Sequence, residues 1–452
     1  MNYILSFLLL FILHIAAVPL NASPLQQTTF ANGVKLVVDE DHSAPVAMVQ
    51  VWLKVGGRDE LPGKTGLAHV FEHMMFKGSK QMKAGEFSRR IAAMGGSDNA
   101  FTSNDYTAYF ATVPAEKVAD VLTMEAERFA NLSLNEEDFA KEIKVIMEER
   151  RMRTEDDPNS RMFEELSAAA LRLHPYRNPV IGWMQDLQGL TIEDVRAFYQ
   201  LHYVPGSVTV VVVGDVDFEE VAKMVAQGFA SMAPKPIPPR FNPQEPEPLG
   251  AKSVEVQLPA QLPMVAIAIP APVWQPGIND ADVAALALFT EMLSGGRSAL
   301  LQQQLVEKDR LAFSIGAGYD PFGMGLDLWY MYGALGPGQS KQALEKAFWQ
   351  LLQAYVETPP SEQRIAIAKR RLIANRVFAQ DSLYLRAKEI GIMETVGIGS
   401  DQRDVWQNAI EKVTATDIQK AVGRWLRAER STVGFLQPKL ADTGVELPSG
   451  GK

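Results

Sequence analysis

The chain predicts an α+β fold made of two related domains, and three observations support this prediction. Helical and β-strand patterns follow one another along the 452 residues. Residues 232–250 hold seven prolines in nineteen positions, which neither a helix nor an inner strand tolerates, so this segment reads as a linker. The sequence LTIEDV at 190–195 resembles VTATDI at 413–418, and both carry a Thr-x-x-Asp helix-start signal. The second half therefore looks like a copy of the first.

The first 22 residues have the pattern of a signal peptide. Their apolar run at 4–18 is shorter than the apolar segment that a membrane-spanning helix usually needs. No Lys or Arg precedes Lys35, so the usual basic start is missing, and an uncleaved N-terminal anchor is the alternative. Since no later stretch has 18 consecutive apolar residues, we expect an exported protein in a Gram-negative periplasm, without membrane contact after cleavage. The predicted segments are a signal peptide at 1–22, a first domain at 23–233, a linker at 234–250 and a second domain at 251–452.

Composition limits the chemistry that the chain can perform. A formal net charge of −10 and a pI near 5.3 argue against nucleic acid as a partner. The chain has no cysteine, which excludes disulfides and thiolate metal ligands. Any zinc site must therefore use histidine and carboxylate groups.

Local patterns predict the elements in chain order. β-Rich runs at 34–38 and 46–53 predict two strands, separated by a turn-like cluster at 39–45. Further strands are predicted at 208–214 and from Ser431 onward. The predicted helices are one that ends near Gly78, followed by helices at 84–94, 114–130, 136–153, 158–172, 191–202 and 218–232.

The sequence HVFEH at 69–73 is the most informative motif. Residues four apart share one face of a helix, so His69 and His73 can aim two imidazoles at one metal ion. Two imidazoles leave Zn²⁺ in need of a third protein ligand and a water, whose pKa zinc can lower to about 7. Glu72 borders the same face and can take the proton of that water. This H-x-x-E-H order is typical of the inverzincin metallopeptidases, although so short a pattern also arises by chance.

The predicted helix at 136–153 offers carboxylates that could complete the site. Glu142 and Glu149 are seven residues apart and share one face of this helix. One could bind the metal while another orients a histidine. Glu148 competes with Glu149, and acidic residues on a helix usually form a solvated face, so the residues alone leave the third ligand open.

With these motifs the chain resembles the insulinase/pitrilysin (M16) family, in the form of short two-domain members such as the mitochondrial processing peptidase beta subunits. The resemblance rests on H-x-x-E-H, the 75 residues between His73 and Glu149, the earlier Glu142 and the flanking sequence FKG at 76–78. It implies one zinc ion per chain. The implied roles are metal ligands for His69, His73 and Glu149, general base for Glu72, and support of the site for Glu142.

The resemblance also implies where a peptide would bind. Asn99, Ala100, Phe101 and Thr102 match a family strand that lies at a sheet edge and pairs with the substrate. An edge strand offers unpaired N–H and C=O groups to any extended chain. The alternative is an ordinary sheet strand in a hairpin with residues 105–110. The sequence HPY at 174–176 also looks like a family loop, and there we expect a structural role.

The second domain departs from the family in one place. Family members usually carry an Arg, and a Tyr seven residues later, that contact substrate near the zinc; here Val306 and Phe313 take those places. Arg297 or Arg310 could replace the missing charge. Some relatives divide the work between a zinc subunit and a partner with the Arg/Tyr pair. We therefore expect a dimer, and specifically the zinc subunit of a heterodimer with a sister chain.

Matching Phe71 with Phe289 aligns the metal motif with Ala287, Thr290 and Glu291, so the second domain is expected to lack a metal site. The resemblance implies that the two domains form a clam-like chamber and that the protein is a zinc endopeptidase acting on peptides or unfolded polypeptides. Two rival interpretations are a non-catalytic peptide-binding or scaffold subunit, and a different zinc hydrolase that shares only the five-residue motif.

Overall fold

The computed structural model describes residues 25–439, so the predicted signal peptide at 1–22 lies outside the described residues. Both halves combine one sheet with packed helices. The strands are β1 Gln26–Thr29, β2 Lys35–Glu40, β3 Val46–Leu53, β4 Ser97–Thr102, β5 Thr107–Pro114, β6 Val208–Gly214, β7 Lys252–Leu258, β8 Met264–Pro272, β9 Ala312–Gly318, β10 Leu326–Leu335 and β11 Thr432–Pro438. The first half contains the helices α1 Leu67–Met74, α2 Glu86–Ala93, α3 Val118–Ala130, α4 Glu136–Arg150, α5 Pro158–Ala170, α6 Met184–Gly189, α7 Ile192–His202 and α8 Phe218–Gly228. The second half contains α9 Asp280–Ser294, α10 Lys341–Glu357, α11 Glu362–Gln380, α12 Leu383–Thr395, α13 Arg403–Lys412 and α14 Ala415–Trp425.

The two sheets share one topology. Their strand orders are β1-β2-β6-β3-β5-β4 and β7-β11-β8-β10-β9. The pairs β2–β6 and β7–β11 are parallel and the other pairs are antiparallel, so the second sheet repeats the first without β1. Thr191 and Thr414 form matching capping boxes at the starts of α7 and α14. The predicted α+β fold with two related domains is confirmed.

Each domain lends one helix to the sheet of the other. Helix α5 packs on β7, β8 and β11, while α12 packs on β3 and β6. Met162 of α5 joins an apolar cluster with Ala266 and Ala268, and Ile390 of α12 joins one with Trp52. The two domains therefore share buried apolar surface. The clam-like chamber stays a prediction.

The proline-rich segment, whose role as a linker stays a prediction, has no helix or strand from residue 233 to residue 250. It is nevertheless tied to the first domain. Arg240 forms an ion pair with Asp59 at 2.7 Å, and the Glu245 carboxylate accepts three backbone N–H groups at 172–174. Nearby, His174 is buried with its Nε2 atom 3.0 Å from the Met324 carbonyl, which fits the structural role expected of it.

Several predicted limits differ from the structure. The motif helix ends at Met74 rather than near Gly78, where the chain turns with φ of +108°. The predicted helix at 136–153 is α-helical only to Arg150 and continues as a π-helix over Arg151–Glu155. Within residues 25–439, no helix is long and apolar enough to cross a membrane.

Candidate metal centre

Helix α1 is held at its start by a carboxylate from the preceding loop. Glu60 accepts the backbone N–H groups of Gly66 and Ala68 at 2.8 and 2.7 Å, two of the donors that the first turn of a helix leaves free. Val70 and Phe71 are fully buried in the core beneath the helix. This packing fixes the rotation of α1 about its axis and turns both histidines of the motif toward α4.

His69, His73 and Glu149 meet at one point. The Oε2 atom of Glu149 lies 3.8 Å from Nε2 of His69 and 3.5 Å from Nε2 of His73. Ligands about 2.0–2.1 Å from a tetrahedral Zn²⁺ ion are about 3.3 Å apart, and the distances from Glu149 to both histidines are close to this value. All three donor atoms lie within 4.8 Å of one another, so they could hold one metal ion. Within the part of the chain that the structure describes, no other group of three His, Cys, Asp or Glu side chains meets the geometry of a metal site.

The hydrogen bonds of His73 leave one of its nitrogens free for a cation. Glu142 lies 3.1 Å from Nδ1 of His73, and its other oxygen pairs with Lys77 at 2.6 Å. Although burial opposes it, these two bonds hold the pKa of Glu142 below its usual range. The ionised carboxylate therefore accepts Nδ1–H, and the lone pair on Nε2 points toward Glu149. Two acceptors that face each other need a proton or a metal ion between them.

His69 has a different environment. Burial, followed by the charges of His73 and Arg153, lowers its pKa to about 3, so the imidazole is neutral and can donate a lone pair. Its Nδ1 atom is buried without a hydrogen-bond partner. A histidine that binds a metal through one ring nitrogen usually donates the N–H group of the other nitrogen to an acceptor. The described residues provide no such acceptor for Nδ1 of His69.

Glu72 lies beside the donor set and is tied to the sheet edge. Thr102, the last residue of β4, donates a hydrogen bond from its hydroxyl to Glu72. Burial raises the pKa of Glu72, and the hydrogen bond from Thr102 acts against this rise. A carboxylate with a raised pKa next to a metal site is well placed to exchange protons.

The predicted substrate strand lies at an edge, because β4 ends the first sheet. The N–H group of Ala100 bonds to the side chain of its neighbour Asn99 at 2.8 Å. The side chains of Phe101 and Thr102 point to opposite faces. Thr102 faces Glu72, whereas the Phe101 ring packs edge-on against Trp52, with their centroids 5.4 Å apart. The side chain of Phe101 thus faces away from the donor set, and only its backbone is available there.

Up to residue 439, the second domain shows no matching group of metal donors. Phe289 is as buried as Phe71, in line with the predicted match. The aligned residues Ala287, Thr290 and Glu291 instead line a cavity of about 630 Å³.

Phe313 and Val306 lie in the second domain as well. Phe313 lies on the edge strand β9 with 68% of its surface exposed, and Val306 packs against the second core. Within residues 25–439, neither Arg297 nor Arg310 forms an ion pair with the donor set.

Sequence reasoning missed three supporting side chains. Lys77 was noted only as part of a flanking motif, and Glu60 was not singled out. Arg153 was also missed, although it lies 2.7 Å from Oε1 of Glu149. Glutamate and arginine four residues apart on a helix commonly pair, so this spacing could have revealed Arg153.

Two family models match the chain in succession. Residues 35–183 match "Insulinase (Peptidase family M16)" and residues 189–372 match "Peptidase M16 inactive domain". The chain belongs to the M16 peptidase family. The second model begins before β6, although β6 lies inside the first sheet. The limits of the M16 domains at 233 and 251 therefore stay predictions.

Relatives of this M16 chain include a protein from Helicobacter pylori named zinc protease PqqE. It is 36% identical over 292 residues, which are 64% of this chain and 65% of the relative. A probable mitochondrial-processing peptidase subunit beta from Arabidopsis thaliana is 30% identical over 48% of this chain and 41% of its own length. The matches span 63–66% of the lengths of three bacterial relatives, from Helicobacter pylori, Streptomyces coelicolor and Mycobacterium leprae.

Solved structures extend the likeness across nearly the whole described chain. The crystal structure of a protease from Helicobacter pylori has a TM-score of 0.87 and 29% identity, covering 92% of this chain and 99% of that one. An M16 inactive domain from Pseudomonas fluorescens has a TM-score of 0.83 at 17% identity and covers 92% and 98%. The latter likeness concerns the fold alone.

Proposed function

We propose that this M16 protein is a zinc-dependent endopeptidase that hydrolyses peptides or unfolded polypeptides. The observation that carries the proposal is the meeting of His69, His73 and Glu149, with Glu72 beside them. A relative named zinc protease supports zinc as the metal, and we propose one ion per chain. The rival interpretation as a non-catalytic subunit predicts damaged ligands, and this chain retains three donors in reach of one another.

The proposed reaction needs a base that can reach the water and the leaving nitrogen. A zinc ion bound here would polarise the scissile carbonyl and make a bound water more acidic. Glu72 takes one proton from the attacking water while the water oxygen bonds to the carbonyl carbon. The C–N bond then breaks, and Glu72 passes the proton to the leaving amine. Thr102 holds the Glu72 carboxylate in place during both transfers.

We propose that the peptide binds as an added strand on β4. The edge position of β4 leaves one row of its backbone N–H and C=O groups unpaired by the sheet. The hydrogen bond from Thr102 places the end of this strand next to Glu72, so a peptide along β4 would cross the donor set. The hydrogen bond from the Ala100 N–H group to the Asn99 side chain would have to open to admit it.

We propose that a sister chain completes the active site. The residues at the usual Arg and Tyr places are Val306, which packs against the second core, and Phe313, which has no hydroxyl. A related subunit that carries the Arg/Tyr pair would supply both groups. Mixing the two purified chains should raise the rate of peptide cleavage. Full activity of this chain alone, unchanged by the sister chain, would contradict the pairing.

A Glu72→Gln variant tests the peptidase proposal. We expect it to retain zinc and lose hydrolysis, because the amide keeps the shape of the side chain but cannot accept a proton. The measurement is cleavage of a quenched fluorescent peptide, with and without a chelator, together with zinc content by mass spectrometry. Glu137→Gln, on the exposed side of α4, is the matched control and should cleave at the wild-type rate. Cleavage by Glu72→Gln at that rate would place the base elsewhere.

The apolar run at 4–18 supports export as a further proposal. We propose a periplasmic location after removal of residues 1–22, with retention as an N-terminal anchor as the alternative. Mass spectrometry of the native protein's N-terminus distinguishes the two.

A further inference from the structure

The two oxygens of Glu149 have separate partners. Oε2 faces the Nε2 atoms of His69 and His73, while Oε1 lies 2.7 Å from Nη1 of Arg153. The Glu149 side chain is only 15% exposed, whereas that of Arg153 is 72% exposed. The guanidinium therefore reaches a nearly buried carboxylate from the solvent side, opposite the point where the metal would lie.

The backbone places Arg153 for this contact. Helix α4 ends at Arg150, and the chain continues through one π-helical turn at Arg151–Glu155. Turns of this kind occur often at functional sites.

We propose that Arg153 is a positioning residue that sets the affinity of the site for zinc, an inference that rests on the proposed metal site but not on hydrolysis. By holding Oε1, Arg153 presents Glu149 as a ligand through Oε2 alone and restricts its rotamers before the metal arrives.

The support of Glu142 is built in the same way. Lys77 pairs with one oxygen of Glu142, while the other oxygen faces His73. In both Glu142 and Glu149, one carboxylate oxygen therefore pairs with a cation and the other faces an imidazole.

Arg151 provides a matched control. It lies in the same π-helical turn and forms an equally short ion pair at 2.7 Å, but with Glu148, which is 59% exposed. Removing Arg151 changes the net charge by the same amount without touching Glu149. A general electrostatic effect on zinc binding would therefore be similar in both variants, whereas the proposed effect is confined to Arg153.

The test is the zinc dissociation constant of the full-length apo protein, measured by competition with a chromophoric chelator. We expect Arg153→Gln to bind zinc about tenfold more weakly, the low end for loss of a group that supports a metal ligand, because Arg153 is mostly solvated. Arg153→Lys should recover part of the loss, since it restores a donor to Oε1 of Glu149 but not the planar fork. Arg151→Gln should bind zinc as the wild type does.

Unfolding of the metal-free proteins separates positioning from fold support. We expect Arg153→Gln and wild type to unfold at the same denaturant concentration without zinc. Wild-type affinity in Arg153→Gln, or an equal loss in Arg151→Gln, would overturn the inference. These affinities are independent of catalysis: a wild-type protein that binds zinc but cleaves nothing, either alone or with the sister chain, would contradict the peptidase proposal and leave the role of Arg153 intact.

Discussion

Glu60 shows how a single side chain outside the motif can hold the metal helix in place. Replacing Glu60 with Ala removes the acceptor of two N–H groups, on Gly66 and Ala68, which are both buried residues. An unsatisfied buried donor costs about 1–3 kcal/mol, so we expect a loss of at least that size in the free energy of unfolding. Urea unfolding followed by circular dichroism measures it.

The control for this prediction is Glu116→Ala, whose carboxylate is 77% exposed and pairs only with Lys117. It should change the free energy of unfolding by less than about 0.5 kcal/mol. The loss of unfolding free energy in Glu60→Gln should lie between those of Glu60→Ala and Glu116→Ala, because the amide oxygen can still accept one of the two N–H groups. Equal stability of Glu60→Ala and wild type would show that the loop carboxylate does not support α1.

At the same scale, the sequence could not choose between Glu148 and Glu149. The two residues are neighbours on a helix whose solvent side was unknown, and only the resemblance favoured Glu149. The contacts now separate them: Glu148 pairs with Arg151 at the surface, whereas Glu149 faces both imidazoles. Which carboxylate turns inward depends on how α4 packs against α1, and periodicity does not report that packing.

At the scale of elements, the exchange of α5 and α12 gives a sharp prediction. A Cβ atom on Gly391 would lie 1.9 Å from the indole ring of Trp52, which is fully buried. We expect Gly391→Ala to lower the free energy of unfolding by about 1–3 kcal/mol or more, because the added methyl group overpacks the buried contact between α12 and the first sheet.

Gly423, inside α14, is the matched control for this substitution. A Cβ atom there would meet only Val356, at an ordinary distance of 3.6 Å. Gly423→Ala should therefore stabilise the protein by about 0.5–1 kcal/mol, the usual gain from replacing glycine within a helix. Thermal unfolding of both variants measures the difference. A stabilising Gly391→Ala would mean that α12 does not pack on the first sheet as described.

Elements with strong local signals were predicted well. The valine-rich strand β6 lies at the predicted residues 208–214, and the Thr-x-x-Asp signals mark the starts of α7 and α14. The helix exchange could not be predicted, because an apolar helix face does not specify which sheet will cover it. The π-helical turn after Arg150 was missed for a similar reason, since its sequence continues the helical pattern of α4.

At the scale of the whole molecule, the two domains pack against each other, and the described residues bring together one group of candidate metal donors. The exchanged helices join the domains through buried apolar contacts. The two domains contain sheets of the same topology. Within the described residues, only the first sheet has a group of metal donors beside its edge strand. This asymmetry fits a division in which the first domain performs chemistry and the second completes the scaffold.

We propose that His69, His73 and Glu149 together hold one zinc ion. The most direct measurement is the zinc content of the purified protein, by mass spectrometry, in the wild type, Glu149→Gln and Glu148→Gln. We predict one zinc per chain in the wild type and in Glu148→Gln, and a nearly metal-free Glu149→Gln, because only Glu149 faces the two imidazoles. Full zinc content in Glu149→Gln, or a wild type that binds none, would contradict this account.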